Sequence, residues 1–474
     1  MALQALRSRK KRLDQIVIRA LLDYYRLPAD LFGSVSPTID SPAGENGFFE
    51  FGDKNICYGR NRSSVSANVA DAGKFDASKD VRIDGNTIQL PFDFSEVIEN
   101  LRRERYRRNM NADRKSFSAG KTVRKIYYLV REWLPVWLRR QLQKIYLRRW
   151  KELRFPAWPV DFTVDNLHDE LLRLLMEKSG TKKVPFIWFW PEGASGCLIM
   201  THDVETSAGR DFTSELMDLD TSYGIKASYQ VVPEERYEVP EEYIQRIRAH
   251  GCEFNVHDLS HDGQLYQKRD IFLQRAKRIN EYNKKYNARG FRAGVMYRDL
   301  DWYEAYDFSY DMSVPNVAHL EPQRGGCCTV MPFFVGKILE LPLTTTQDYS
   351  LFYILNDHSI NLWKTQLDLI RKRNGLMSFI AHPDYLINRK NRSVYESLLK
   401  YLRQMVVREN IWAAVPGDVD RWWRARSQMK VVSHDGSWEI EGPEKERARL
   451  AYAVLDRGRV KYELAEVAQE NVHK

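Results

Sequence analysis

Cysteine is scarce in this chain, and what there is does not pair off. Five cysteines in 474 residues are an odd count and too few for a disulfide framework. The adjacent Cys327 and Cys328 read as thiols in a packed strand or loop, and a reducing compartment fits. Long apolar runs are missing as well. No stretch approaches the ~18–20 apolar residues that a membrane span needs. The N-terminal MALQALRSRKKRLDQIVIRALLDYY is basic but has no apolar core followed by a small-residue cleavage site, so a cytoplasmic location is expected. No nucleic-acid-binding motif accompanies the positive charge, which argues against nucleic acid as a partner. Disorder is excluded as an overall description by a chain that is 43% hydrophobic and 29% charged.

What is present is aromatic and unevenly charged. The 12 Trp, 25 Tyr and 21 Phe serve a core and also suit stacking on sugar rings. Of the net +9, the segment Leu101 to Arg154 holds 18 Lys plus Arg against 4 Asp plus Glu, a local +14 that leaves the rest at −5. Four segments follow. Residues 1–98 form a small mixed α/β module, with hairpins about Gly52-Asp53 and Asp84-Gly85-Asn86. Residues 99–190 are a basic, aromatic helical segment and linker. Ser95 is placed as the cap of a first helix. A second, from Thr122, carries Ile126, Tyr127, Val130, Trp133, Leu134, Trp137 and Leu138 at helical spacing, with Pro135 to kink it. Aromatics facing cations fit an interfacial helix on anionic membrane through 101–154; they fit equally a core helix with a solvated basic face.

From residue 191 to 427, short apolar runs alternate with helical patterns. The runs are Gly196 to Thr201, Ala227 to Val232, Cys252 to His257, Gly290 to Gly294, Phe308 to Val314, Ile338 to Leu343, Leu376 to His382 and Ile411 to Val415. That alternation implies parallel strands, and seven or eight units fit a distorted (β/α) barrel, an α/β fold. Residues 428–474 end the chain with a hairpin about Asp456-Arg457-Gly458.

The chemistry-bearing residues cluster at strand ends, where barrel active sites form. Asp203 and Glu205 lie two apart in extended chain and point to one side. One carboxylate can bind a metal while the other takes a proton from water. His257 and His261 share a face if strand turns directly into helix, and with an acid they make a ligand set that leaves positions open for water and substrate. Alone, such a histidine pair is a weak signal. The ordered series of acids, histidine pair, arginine and last histidine is not. Gln347-Asp348-Tyr349, after another strand end, are weaker candidates for substrate contact, and Asp384 and Tyr385 fit a site mouth or a loop cap. His202, His250, His319, His358 and His434 read as structural or surface residues.

That series resembles the NodB-homology polysaccharide deacetylases, carbohydrate esterase family 4, over about residues 196 to 425. Thr201-His202-Asp203-Val204-Glu205 is similar to its first motif, in a subgroup with a Thr-His-Asp-Val-acid form. His257-Asp258-Leu259-Ser260-His261, Arg292-Ala293-Gly294-Val295, Asp311-Met312-Ser313 and Ile380-Ala381-His382 resemble the other four. The resemblance implies Asp203 as catalytic base, oriented by Arg292. It implies Glu205, His257 and His261 as ligands of a divalent metal, zinc foremost. It also implies His382 as general acid, with Asp311 keeping it charged. Three positions depart from the pattern: Glu205 stands for the usual Asp ligand, Gly294 for a Pro, and Val317 for a Trp. The expected activity is hydrolysis of an N-acyl, most simply N-acetyl, group from an amino sugar. The substrate would be a polysaccharide or its lipid-linked precursor, met at the inner membrane face. A catalytically silent sugar-binding barrel and a membrane-recruited scaffold for glycan assembly are the alternatives.

Overall fold

The computed structural model describes residues 19–28, 31–33, 35–39, 43–62, 75–107 and 136–466. The helix expected from Thr122 through Leu134, with Tyr127 and Trp133, lies outside the described residues, as does the Trp137 side chain.

Both N-terminal hairpins are present. β1 (Ser36–Ile39) pairs in parallel with β5 (Thr87–Leu90), which turns back on β4 (Arg82–Asp84). β2 (Ala43–Phe51) and β3 (Asn55–Asn61) form the other. Gly52 sits at φ 64 in their connection, a conformation glycine adopts without steric cost. Helix α1 (Phe94–Arg102) is capped by Asp93, not Ser95: the Asp93 carboxylate accepts the Ser95 and Glu96 N–H groups at 2.9 and 3.2 Å. Ser95 already lies inside the first turn, as one of the donors that the cap must satisfy. α2 (Val136–Leu147) and α3 (Thr163–Ser179) lead to β6 (Lys183–Ile187).

All eight expected barrel strands form. They are β7 (Gly196–Val204), β8 (Ala227–Val231), β9 (Glu253–His257), β10 (Gly290–Arg292), β11 (Tyr310–Asp311), β13 (Ile338–Glu340), β14 (Leu376–Ala381) and β15 (Ile411–Ala413), with β12 (Phe333–Val335) added at one edge. The order is β12-β13-β11-β10-β9-β8-β7-β14, parallel except for β12. β7 is buried along its whole length, as a strand covered on both faces must be, and reads as a near-continuous apolar run. Helices α4 (Ser207–Ser222), α5 (Glu241–Ala249), α6 (Arg269–Lys285), α7 (Asn361–Arg371), α8 (Pro383–Leu386), α9 (Arg389–Arg408) and α10 (Pro416–Gln428) complete the units.

The barrel is distorted at two places. β15 and β8 share one side of β7, at its start and at its end. Between β13 and β14 there is no ladder; threonine hydroxyls bridge the gap. Thr344 Oγ1 donates to the Leu376 carbonyl at 2.7 Å, and Thr345 Oγ1 to the Ser378 carbonyl at 2.7 Å.

The tail holds two hairpins. β18 (Leu450–Asp456) and β19 (Arg459–Leu464) are the expected one; β16 (Lys430–His434) and β17 (Ser437–Glu441) precede it. β18 also pairs with β6, closing a three-stranded sheet. One apolar core runs from Phe48 and Phe94 through Leu339 and Leu341 to Ala451, so module, barrel and tail share burial. The five cysteines are buried free thiols.

Candidate active site

Period-two alternation at the end of β7 separates function from packing. Val204 is fully buried among apolar side chains, so it cannot face the same way as Asp203 and Glu205. The two carboxylates emerge together at the strand's C-terminal end. β9 ends on His257, but no helix follows it. Asp258 and His261 adopt φ of 56 and 53, and the resulting loop brings the His261 ring back beside His257, centroids 4.9 Å apart. The shared helical face expected for this pair is therefore replaced by a left-handed loop with the same outcome.

Ligand atoms of Glu205, His257 and His261 lie within 4.8 Å of one another. Glu205 Oε1 is 2.9 Å from His261 Nε2 and 3.6 Å from His257 Nε2. Both Nε2 atoms are buried and, among the described residues, make no well-directed hydrogen bond. The His257 Nδ1 faces the Arg292 carbonyl at 3.1 Å; that contact holds the proton on Nδ1 and leaves the Nε2 lone pair for a cation. Two imidazoles and one carboxylate suit zinc or a similar divalent metal.

On one side of this set stands Asp203. Arg292 is fully buried at the end of β10; its Nη1 donates to Asp203 Oδ1 and Thr201 Oγ1, each at 2.8 Å, and its Nε to the Met312 carbonyl at 3.0 Å. Burial alone would raise the Asp203 carboxyl, but Arg292, then His257 and His382, hold it below its ordinary value. Glu205 behaves likewise: desolvation opposes ionisation, and the surrounding imidazoles, His261 foremost, pull it well below the usual range.

On the other side is His382, with Nε2 3.5 Å from Glu205 Oε1. Its Nδ1 meets Asp348 Oδ1 at 2.6 Å, and its backbone N–H donates to Asp348 Oδ2 at 2.7 Å. Burial disfavours the imidazolium, yet the Asp348 carboxylate outweighs it and raises His382 well above the ordinary histidine range. Asp311 does not fill this role. It accepts from Ser313 N at 2.9 Å, Ser313 Oγ at 2.8 Å and Tyr303 OH at 2.9 Å. β11 pairs with β10 and β13 and not with β14, and its Asp311 is in register with Glu340 of β13. Burial raises both carboxyls, and the neighbouring Asp311 adds to the rise at Glu340.

Gly294 has a steric reason. A Cβ there would stand 2.3 Å from Asp258 Oδ2 and 2.9 Å from the His261 ring, which forbids the Pro of the resembled motif. Tyr385 lies tilted against His382, ring centroids 4.8 Å apart, and Tyr349 and Tyr353 extend the aromatic wall. Gln143 of α2 hydrogen-bonds the Tyr349 hydroxyl. Burial pushes the Asp384 carboxyl beside them up to about 6. His202 is structural, held by Asp220 at 2.8 Å and facing the Ala381 carbonyl at 2.9 Å.

No family model matches the chain, and no curated protein matches it in sequence. Among solved structures, a Mycobacterium smegmatis chain assigned as a polysaccharide deacetylase is 16% identical, covering 50% of this chain and 93% of its own, at a TM-score of 0.40. Puue allantoinase is 14% identical over 50% and 92%, at 0.37. The chitin deacetylase from the fungal pathogen Colletotrichum lindemuthianum is 13% identical over 49% and 90%, at 0.30.

Proposed function

We propose that this protein is a metal-dependent hydrolase that removes an N-acyl group, most simply N-acetyl, from an amino sugar of a polysaccharide or its lipid-linked precursor. The observation that carries the reading is the convergence of two buried imidazole Nε2 atoms on one carboxylate. An arginine-held acid and an acid-held histidine flank that convergence.

Glu205, His257 and His261 would hold the metal, zinc foremost, which when bound supplies Lewis-acid polarisation and a lowered pKa for water. Asp203, kept ionised by Arg292, takes the proton of the attacking water. The Val295 N–H donates to the developing oxyanion. His382, kept cationic by Asp348, protonates the leaving nitrogen. The tyrosine wall beside it offers π-faces to a sugar ring. Acyl release from a panel of N-acylated amino sugars, with and without added divalent metals, tests the reading. No release by metal-loaded protein on any member would sink it and favour a silent sugar-binding barrel.

The same proposal places the protein in the cytoplasm, touching anionic lipid at the inner membrane face. Among the described residues no helix is long and apolar enough to cross a membrane. On α2, Leu142, Ile145 and Tyr146 are 39%, 53% and 47% exposed, spaced as one helical stripe, with Lys144 and Arg148 around them. Each such cation near anionic lipid contributes about 1 kcal/mol. Binding to vesicles containing an anionic phospholipid should weaken with salt and fall at least tenfold on Ile145→Glu. Deleting 101–154 outright is a poor test, because Leu101, Glu104 and Tyr106 are buried in the fold. Equal binding by Ile145→Glu, or none by the parent at low salt, would leave the basic face merely solvated.

A further inference from the structure

The segment just after α1 is joined to the loop beside the active site by a buried ion pair, Glu104 with Arg298. The loop after β10 carries Gly294, packed on Asp258 and His261, and then Val295 and Met296 at φ of 59 and 54. Two successive non-glycine residues in the left-handed region persist only where the surroundings over-determine them. Arg298 does so here. Its Nη1 donates to the Met296 carbonyl at 2.7 Å, and Gln323 clamps its backbone from both sides, accepting from Arg298 N at 3.3 Å and donating to Arg298 O at 2.9 Å. The Met296 side chain packs with Leu343 and with Ile380, two residues before His382.

The Arg298 guanidinium is wholly buried, and its charge is met by Glu104, just past α1, also wholly buried. Nε donates to Glu104 Oε2 at 2.7 Å, and Nη2 donates to Oε1. The same Oε1 accepts the Gly326 N–H at 2.6 Å. Gly325 makes room: a Cβ there would stand 2.5 Å from Glu104 Oε1. Tyr106 adds a second tether, its hydroxyl donating to the Gly326 carbonyl at 2.6 Å.

We propose that Glu104 and Arg298 are positioning residues: the segment after α1, acting through this pair, holds the left-handed Val295–Met296 turn, which follows Gly294 against Asp258 and His261, and so sets the Val295 N–H that the proposed hydrolysis uses. The inference rests on the hydrolase reading for its catalytic consequence and on geometry alone for the loop. A guanidinium deprived of Glu104 at full burial must seek another acceptor or water, and either movement releases the Met296 carbonyl. Touching neither substrate nor metal ligands, Glu104 should alter turnover and leave metal content alone.

The test uses the full chain with Glu104→Gln and Glu104→Asp. Glu104→Gln should bind metal at the parent stoichiometry and lose at least tenfold in kcat, with KM changed less than threefold. Glu104→Asp should restore part of the loss. Amide hydrogen exchange at residues 293–298 should be at least tenfold faster in Glu104→Gln, with β9 and β14 unchanged. If Glu104→Gln does not fold, the volume-matched pair Glu104→Met with Arg298→Met removes both charges and the clamp together, and should show the same two changes. Loop exchange equal to the parent's, or faster exchange with undiminished kcat, would overturn the proposal. A parent without turnover on any acylated amino sugar would sink the hydrolase reading, and the exchange comparison would still decide whether the clamp exists.

Discussion

His257→Ala protein should purify folded and nearly free of divalent metal, while the parent retains about one ion per chain. His257 closes β9, and its backbone register with Arg292 does not depend on the imidazole, so the strand survives the substitution. The side chain is buried, with its Nε2 facing Glu205 and Asp203. Truncation therefore removes a ring and leaves a small cavity at a cost of about 1–3 kcal/mol. The metal has more to lose. With one of three ligands gone, Glu205 and His261 remain as a pair, and the loss should exceed the ~10–100-fold that changes outside the ligand shell cause. Metal analysis of dialysed protein beside circular dichroism separates the two effects. Full metal content in folded His257→Ala would remove His257 from the ligand set.

How far such residues are legible in the sequence differs from case to case, and the differences have physical causes. The eight barrel strands were legible because strands buried on both faces leave continuous apolar runs. Asp203 and Glu205 were legible because strand period is two. His257 and His261 were found by spacing although the path between them is not helical: left-handed turns at Asp258 and His261 leave no mark when no glycine carries them. In the sequence Asp348 reads only as a weak candidate for substrate contact. Its partner His382 is 34 positions away, and the Thr344–Thr345 hydroxyl bridge that aligns the two is a tertiary feature with no local period. Likeness of motif sets Asp311 against His382, whereas in the structure Asp311 accepts from Ser313 and Tyr303 and Asp348 meets His382. Glu104 was hidden altogether. One acid among the arginines at 102, 103, 105, 107 and 108 has the pattern of a solvated charge run, and only packing against Arg298 makes it a core residue. The β16–β17 hairpin carried a usable signal in Asp435-Gly436, at a turn where Gly436 has φ 84.

Asp203→Asn and His382→Ala should each abolish most acyl release while keeping the metal, and Asp348→Asn should do something subtler. Removing a positioned general base or acid costs typically ~10²–10⁴-fold, so both first variants should fall into that range in kcat/KM. In Asp203→Asn the side-chain amide oxygen can still accept the Arg292 hydrogen bond but cannot take a proton. Asp348 is the largest influence raising His382 against burial, so its loss lowers the folded-state pKa of the ring. Protonation of the leaving nitrogen needs the imidazolium, which is present below that pKa and lost as pH rises through it. The alkaline limb of the kcat/KM profile should therefore move to lower pH in Asp348→Asn, with the acid limb, set by Asp203 and its Arg292 partner, left in place. Two supports of His382 are lost at once, because the same carboxylate also accepts its backbone N–H, so some fall in the plateau rate is expected as well. Profiles for parent and Asp348→Asn on one N-acetylated amino sugar, at saturating metal, distinguish the effects. An alkaline limb that stays where it was, or one that moves in Asp311→Asn and not in Asp348→Asn, would return the role of charge partner to Asp311.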